Sequence, residues 1–251
     1  MNIDTLKTTA QAMVAPGRGI LAMDESSPTC NKRFESLGIP TTIEMRREYR
    51  TMLVSSSGLG DHIGGAILFD ETLRDHTTDG RSFVQALQEQ GIVPGIKVDT
   101  GAKDLALHPG EKVTEGLDSL GPRLAEYAEL GARFAKWRAV YAITDRLPSQ
   151  ACYTANAHAL ARYAALCQAH DIVPIVEPEV LIDGDHDLAR SFEVTQHAQQ
   201  TVFAALADQG VDLRGIVLKP SMVISGTDAA DRASIKEVST ATLRCLLRPV
   251  P

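Results

Sequence analysis

Three features of the sequence predict an α/β protein of the (β/α)8 TIM barrel class, with about six β/α units present in this chain. First, apolar runs of strand length alternate with helical segments, the pattern of a parallel sheet joined by helical crossovers. The runs are Gly19–Asp24, Ile63–Phe69, Val93–Asp99, Arg133–Val140, Ile172–Glu177 and Gly215–Lys219. Second, five of the six carry ionisable residues toward their C-terminal ends, where barrel enzymes build their sites. Third, an open nucleotide-binding sheet needs a glycine-rich loop directly after a strand. Here Gly17-Arg18-Gly19 and Gly58-Leu59-Gly60 both come before strands.

The helical segments follow in order. Met1 to Ala15 reads as an amphipathic start. Thr41-Thr42-Ile43-Glu44 reads as a capping box opening a helix to about Leu53. Arg81–Gln90 is a short helix stopped by Gly91, whose glycine suits a C-cap. Leu117–Leu130 is expected to break near Pro122 and to end at Gly131. Thr154–His170 and Leu188–Gln209 are long and periodic, and Ser234–Leu247 is the last. Ser55-Ser56-Ser57 is a helix-to-strand loop, and Trp137 is expected to pack between barrel and helices.

Composition narrows the function classes. A net charge of −7 argues against a nucleic-acid surface and leaves room for an anionic ligand in a local basic pocket. No apolar run has membrane-spanning length, and no basic-then-apolar leader opens the chain. Cys30, Cys152, Cys167 and Cys245 are widely spaced without C-x-x-C, as free thiols in a reducing cytoplasm are. The histidines show no zinc spacing, and Asp183-Gly184-Asp185-His186-Asp187 lacks that of an EF-hand, so it reads as a solvated turn into the next helix. No metal and no cofactor is expected.

Strand alternation sorts which side chains meet. Ile20, Ala22 and Asp24 share one face, as do Gly95, Lys97 and Asp99. Phe134, Lys136 and Arg138 align, then Ile175, Glu177 and Glu179, with Pro178 able to disturb the last step, and finally Val217 and Lys219. Pointed inward, these faces gather lysines, an arginine and carboxylates at one mouth. Lys219 closes an apolar strand directly before Pro220, and a proline holds the residue before it extended. A lysine so placed suits a Schiff-base nucleophile.

Lysine attacks a carbonyl only as the neutral amine, and its unperturbed pKa of ~10.4 leaves little of that form at pH 7. A second cation nearby and partial desolvation both favour the neutral form, and Lys136 is the natural neighbour. Loss of water from the carbinolamine needs an acid, for which Glu177 or Glu179 serves. The protonated imine then acts as an electron sink, and Asp24 on another strand takes the hydroxyl proton across the breaking bond. Lys97, Arg138 and the Lys32-Arg33 pair suit the anionic ends of a substrate, which suggests phosphates.

The segments GILAMDES (19–26), GIKVD (95–99), FAKWR (134–138), IVPIVEPEV with the following DGDHD (172–187), and LKPSMV (218–223) resemble class I fructose-1,6-bisphosphate aldolases. The resemblance runs from about residue 2 to the end. It implies reversible cleavage of fructose 1,6-bisphosphate to dihydroxyacetone phosphate and glyceraldehyde 3-phosphate, without a metal. It also implies a cytoplasmic homo-oligomer, a tetramer in the family, whose partner is a sugar phosphate.

Carried over by position, Lys219 forms the imine and Glu177 is the main proton acceptor and donor, with Glu179 supporting the lysine network. Asp24 handles the proton of the C4 hydroxyl, and Lys136 assists there. Ser26, Arg33, Lys97 and Arg138 fall where the family binds substrate or orders charge. Thr29 stands where a serine is usual, Met23 where a small residue is usual, and Arg46 matches an arginine linked to phosphate contact. Strands start about forty residues apart, so eight such units exceed the ~250 residues of a typical barrel. Residues 1–251 are therefore expected to form a single aldolase-type barrel domain, C-terminally incomplete. The family's last two units carry a glycine–serine loop and an arginine that grip phosphate, together with a flexible tail. Without them the alternative reading is a catalytically impaired remnant that binds sugar phosphates or proteins.

Overall fold

A computed structural model describes residues 1–251. Helix α1 (Ile3–Met13) opens the chain, with Asn2 accepting from the Thr5 amide at its N-cap. Strand β1 (Gly19–Met23) leads to α2 (Ser27–Ser36) and α3 (Ile43–Val54), and the short α4 (Leu59–His62) precedes β2 (Ile63–Leu68). Helices α5 (Asp70–Arg74) and α6 (Phe83–Gln88) lead to β3 (Val93–Lys97), followed by a hairpin of β4 (Gly101–Asp104) and β5 (Lys112–Glu115). Then come α7 (Leu120–Glu129), β6 (Phe134–Tyr141), α8 (Gln150–Ala169), β7 (Val173–Val180) and α9 (Leu188–Asp208). A 3-10 turn (Leu213–Gly215), β8 (Val217–Leu218) and α10 (Ile235–Leu246) complete it.

Six strands form one parallel sheet in the order β1-β2-β3-β6-β7-β8, curled as six of the eight staves of a (β/α)8 barrel. Its outermost strands, β1 and β8, are each paired on one side only. Helices cover the convex face. There Trp137 is fully buried, its ring 5.4 Å from that of Tyr163, the packing position expected of it.

The concave face is closed from below by α1. Leu6, Ala10 and Met13 recur at helical spacing and bury against Ile67, Phe134, Val173 and Ile175. Phe134 fills this floor because its neighbours make room. A Cβ at Gly95 would overlap its ring, and one at Gly65 would lie 3.1 Å from it. The floor sets the register above it: Gly95 pairs with Phe134 and Phe134 with Val173, so Lys97, Lys136 and Ile175 stand level two residues on.

Several boundaries differ from the sequence reading. Thr42, not Thr41, caps α3 by accepting from Met45, so Glu44 lies at the second helical position and no capping box forms there. A capping box does form at Ser234 and Glu237. Pro122 does not break α7. The helix starts at Leu120, so Pro122 sits in its first turn, where an amide has no partner to lose. Helix α8 begins at Gln150, capped by Ser149. Strand β7 continues through Pro178 to Val180 paired with β6. Its pairing with β8 stops at Val176–Leu218, so the proline faces a side without a ladder.

Candidate active site

The C-terminal strand ends bring Asp24, Lys136, Glu177 and Lys219 into one connected chain of charges. Lys136 Nζ donates to Asp24 Oδ2 at 2.8 Å and stands 3.6 Å from Glu177 Oε2. The other Glu177 oxygen, Oε1, accepts from Lys219 Nζ. Glu177 thus faces both lysines, one per oxygen, and Oε2 has no hydrogen-bond donor of its own. The side chains of Glu177, Asp24 and Lys136 are 4%, 9% and 10% exposed, whereas Lys219 is 49% exposed. The carboxylates and the first lysine are set in protein; the second lysine faces the opening.

Burial alone pushes the Lys136 ammonium down. The adjacent Asp24 and Glu177 carboxylates outweigh it and hold the group above its ordinary value, so Lys136 stays charged. It can donate a hydrogen bond and stabilise negative charge developing beside Asp24. At Lys219 the second cation expected from the sequence is present, with Glu177 between the two. The desolvation of Lys219 is partial, and about half of this side chain meets solvent. Its backbone is fixed by an amide bond to Val176 O at 2.9 Å. Two residues on, Ser221 accepts from the Val180 amide at 2.8 Å and ties the turn back to β7.

The remaining predicted residues ring this centre or stand apart from it. Lys97 turns to Asp99, bonding its carboxylate at 2.6 Å and its carbonyl at 2.8 Å. Arg138 pairs with Glu179 on the next strand, and the Glu179 contact outweighs burial in keeping the guanidinium charged. Ser26 and Thr29 share a hydrogen bond of 3.0 Å at the start of α2, and Arg33 pairs with Glu25 at the surface. Arg46 is not free. It is buried on α3, bonded twice to Glu71 at 2.7 and 2.8 Å and once to Asn31 at 2.9 Å.

Sequence reasoning missed Glu25, Arg50 and Ser221, and it noticed Asp99 without giving it a role. Arg46 and Arg50 lie one helical turn apart on a buried face of α3, a spacing that marks them as a pair only once that face is known to be buried. Asp183 to Asp187 is a turn, as expected, with Asp187 capping α9. No three His, Cys, Asp or Glu side chains converge as a metal site would require. A cavity of about 740 Å³ lies between α9 and α10 beside Phe192 and Arg244 and shares no lining residue with the charged mouth. No helix is long and apolar enough to cross a membrane, and all four cysteines are buried free thiols.

Comparison with known proteins gives consistent matches over the whole chain. The sequence model described as "Glycolytic: Fructose-bisphosphate aldolase class-I" matches residues 5–251. A protein of Xanthomonas campestris named "Probable fructose-bisphosphate aldolase class 1" is 56% identical over 251 residues, all of this chain and 75% of its own length. A chloroplastic fructose-bisphosphate aldolase of Oryza sativa is 50% identical over 248 residues, 99% of this chain and 64% of its own. The fructose-bisphosphate aldolase of Plasmodium falciparum, solved with TRAP and a small-molecule inhibitor, superposes with a TM-score of 0.98 at 45% identity. That match covers 99% of this chain and 72% of the other.

Proposed function

The chain belongs to the class I fructose-bisphosphate aldolase family, and on that premise we propose that it cleaves fructose 1,6-bisphosphate reversibly through an imine on Lys219. The observation that carries this reading is the Lys219–Glu177–Lys136–Asp24 chain, a half-exposed amine backed by buried acid–base groups. Neutral Lys219 attacks the C2 carbonyl, and the carbinolamine hydroxyl leaves as water after receiving a proton from the Glu177 carboxyl, which leaves the protonated imine on Lys219. Asp24 then takes the C4 hydroxyl proton as the C3–C4 bond breaks. The bonding pair moves to the imine nitrogen, giving an enamine and releasing glyceraldehyde 3-phosphate. Asp24 gives up its proton to solvent, and solvent reprotonates Glu177, which delivers a proton to C3. Water then hydrolyses the iminium, frees dihydroxyacetone phosphate from Lys219 and leaves its released proton on Glu177.

Charge placement supports these roles. Lys136 is held as a cation and stabilises Asp24 as the acceptor, while Glu177 Oε2 is buried 3.6 Å from the Lys136 ammonium and accepts no hydrogen bond. Lys97, Arg138 and Arg33 are the cations near the opening for the phosphates, each now resting on a carboxylate that a phosphate would replace. The chemistry calls for no metal, and the proposal extends to a homo-oligomeric cytoplasmic enzyme.

Borohydride reduction in the presence of dihydroxyacetone phosphate tests the imine. A single covalent adduct mapped by mass spectrometry to Lys219 is expected, and absence of any adduct there overturns the mechanism. Cleavage measured with and without EDTA tests the second claim: equal rates are expected, and loss with chelator contradicts metal independence.

A further inference from the structure

We propose that Arg50 is a positioning residue for this site, a guanidinium that grips the backbone on both sides of Asp24 and thereby fixes its carboxylate against Lys136. Arg50 lies on α3 and is 3% exposed. Its Nη1 donates to the carbonyl of Met23 and to the Glu25 carboxylate, and its Nη2 donates to the carbonyl of Glu25 at 2.9 Å. Asp24 is the residue between those two carbonyls.

The position needs such a grip. Strand β1 ends at Met23, whose pairing with Leu68 is the last in the ladder. Beyond it, no backbone-to-backbone hydrogen bond holds Asp24 or Glu25. Carbonyls two residues apart on an extended chain point the same way, and a planar guanidinium presents parallel donors that span both. An ammonium offers one centre and cannot grip both equally. Glu25 completes the clamp. Burial would raise its pKa, but the hydrogen bond and charge of Arg50, with Arg33, keep it below the ordinary value and ionised. The inference rests on the proposed role of Asp24 for its kinetic consequence only; the geometric claim stands apart from it.

The test reads the Lys136 ammonium directly, in the whole chain labelled with 15Nζ-lysine. Its NMR signal is assigned by its loss in Lys136→Arg, and its hydrogen exchange with water is measured. In Arg50→Met, as in Asp24→Asn, exchange is expected to speed at least about tenfold because the carboxylate no longer stays in contact. Arg50→Lys should fall between, and Arg47→Met, on the same helix but paired with Asp75, should leave the rate unchanged. An Arg50→Met rate within about twofold of the unaltered chain overturns the proposal and leaves Arg50 a purely structural residue. If Arg50→Met fails to fold, Arg50→Lys is judged by the same twofold limit. Where the chain cleaves its substrate, Arg50→Met should lower kcat at least about tenfold with KM within about twofold, while borohydride trapping at Lys219 persists. Failure of every form to cleave counts against the proposed function, and the exchange rates still decide the role of Arg50.

Discussion

Glu177 is the residue on which the centre turns, because it is the one carboxylate facing both lysines. Replacing it with glutamine keeps its shape and removes both the acid and the countercharge. Glu177→Gln is expected to slow borohydride-trappable imine formation by about 10²–10⁴-fold, the usual worth of a positioned acid or base. A trapping rate close to that of the unaltered chain would remove Glu177 from the role. Lys136 makes a different prediction. Lys136→Met leaves Asp24 as a buried carboxylate without its cation, takes one of two from Glu177, and should cost about 3–5 kcal/mol in urea unfolding. Because its folded pKa lies above the reference of 10.5, its contribution is complete below that pH and is lost as pH rises through the folded value. The difference between the two proteins should therefore be full at pH 8 and shrink above pH 10.5; a constant difference would assign the loss to packing.

At the scale of elements, the strands were legible because each joins an apolar start to a charged end, a pattern that also placed Asp24, Lys97, Lys136, Glu177 and Lys219 at one mouth. The β4–β5 hairpin was not legible. Its strands are four residues each, mostly polar, and it is held from outside by Asn156, which accepts from Thr114 and donates to Lys112. The clamps of α3 were equally hidden, since a buried arginine reads as a surface residue until its carboxylate partners are brought to it. Glycine was legible as a breaker but not as a packing partner. Gly95 is needed because Phe134 occupies the space of its Cβ. Gly95→Ala should destabilise the chain by about 1–3 kcal/mol, as overpacking does, and the smaller side chain of Phe134→Leu should offset part of that loss. Strict additivity of the two substitutions in urea unfolding would show that they do not share the floor of the barrel.

For the whole molecule, α3 is the tie between the segments that follow the first two strands. From one helix, Arg50 holds Glu25, Arg46 holds Glu71 and Arg47 holds Asp75. The Arg46 hydrogen bond lowers the pKa of Glu71, and at Asp75 burial raises it but the Arg47 contact outweighs that. With Glu25, three carboxylates have folded values below their references of 4.5, 4.5 and 3.8. Groups with lowered values contribute stability above the reference pKa and lose it as pH falls through the folded one. The chain should thus lose stability progressively on acidification below about pH 5, beginning with the segments around Asp24 and Asp70. Arg46→Met should weaken the chain at pH 7 and flatten this acid limb, because Glu71 then loses the contact that lowers its pKa and keeps the burial and the neighbouring Asp75 that raise it. Arg47→Met should do so less, since that pair is more exposed and better screened. Urea unfolding at pH 7 and pH 4 measures both effects, and an acid limb of unchanged slope in Arg46→Met would show that α3 does not bind these segments through charge.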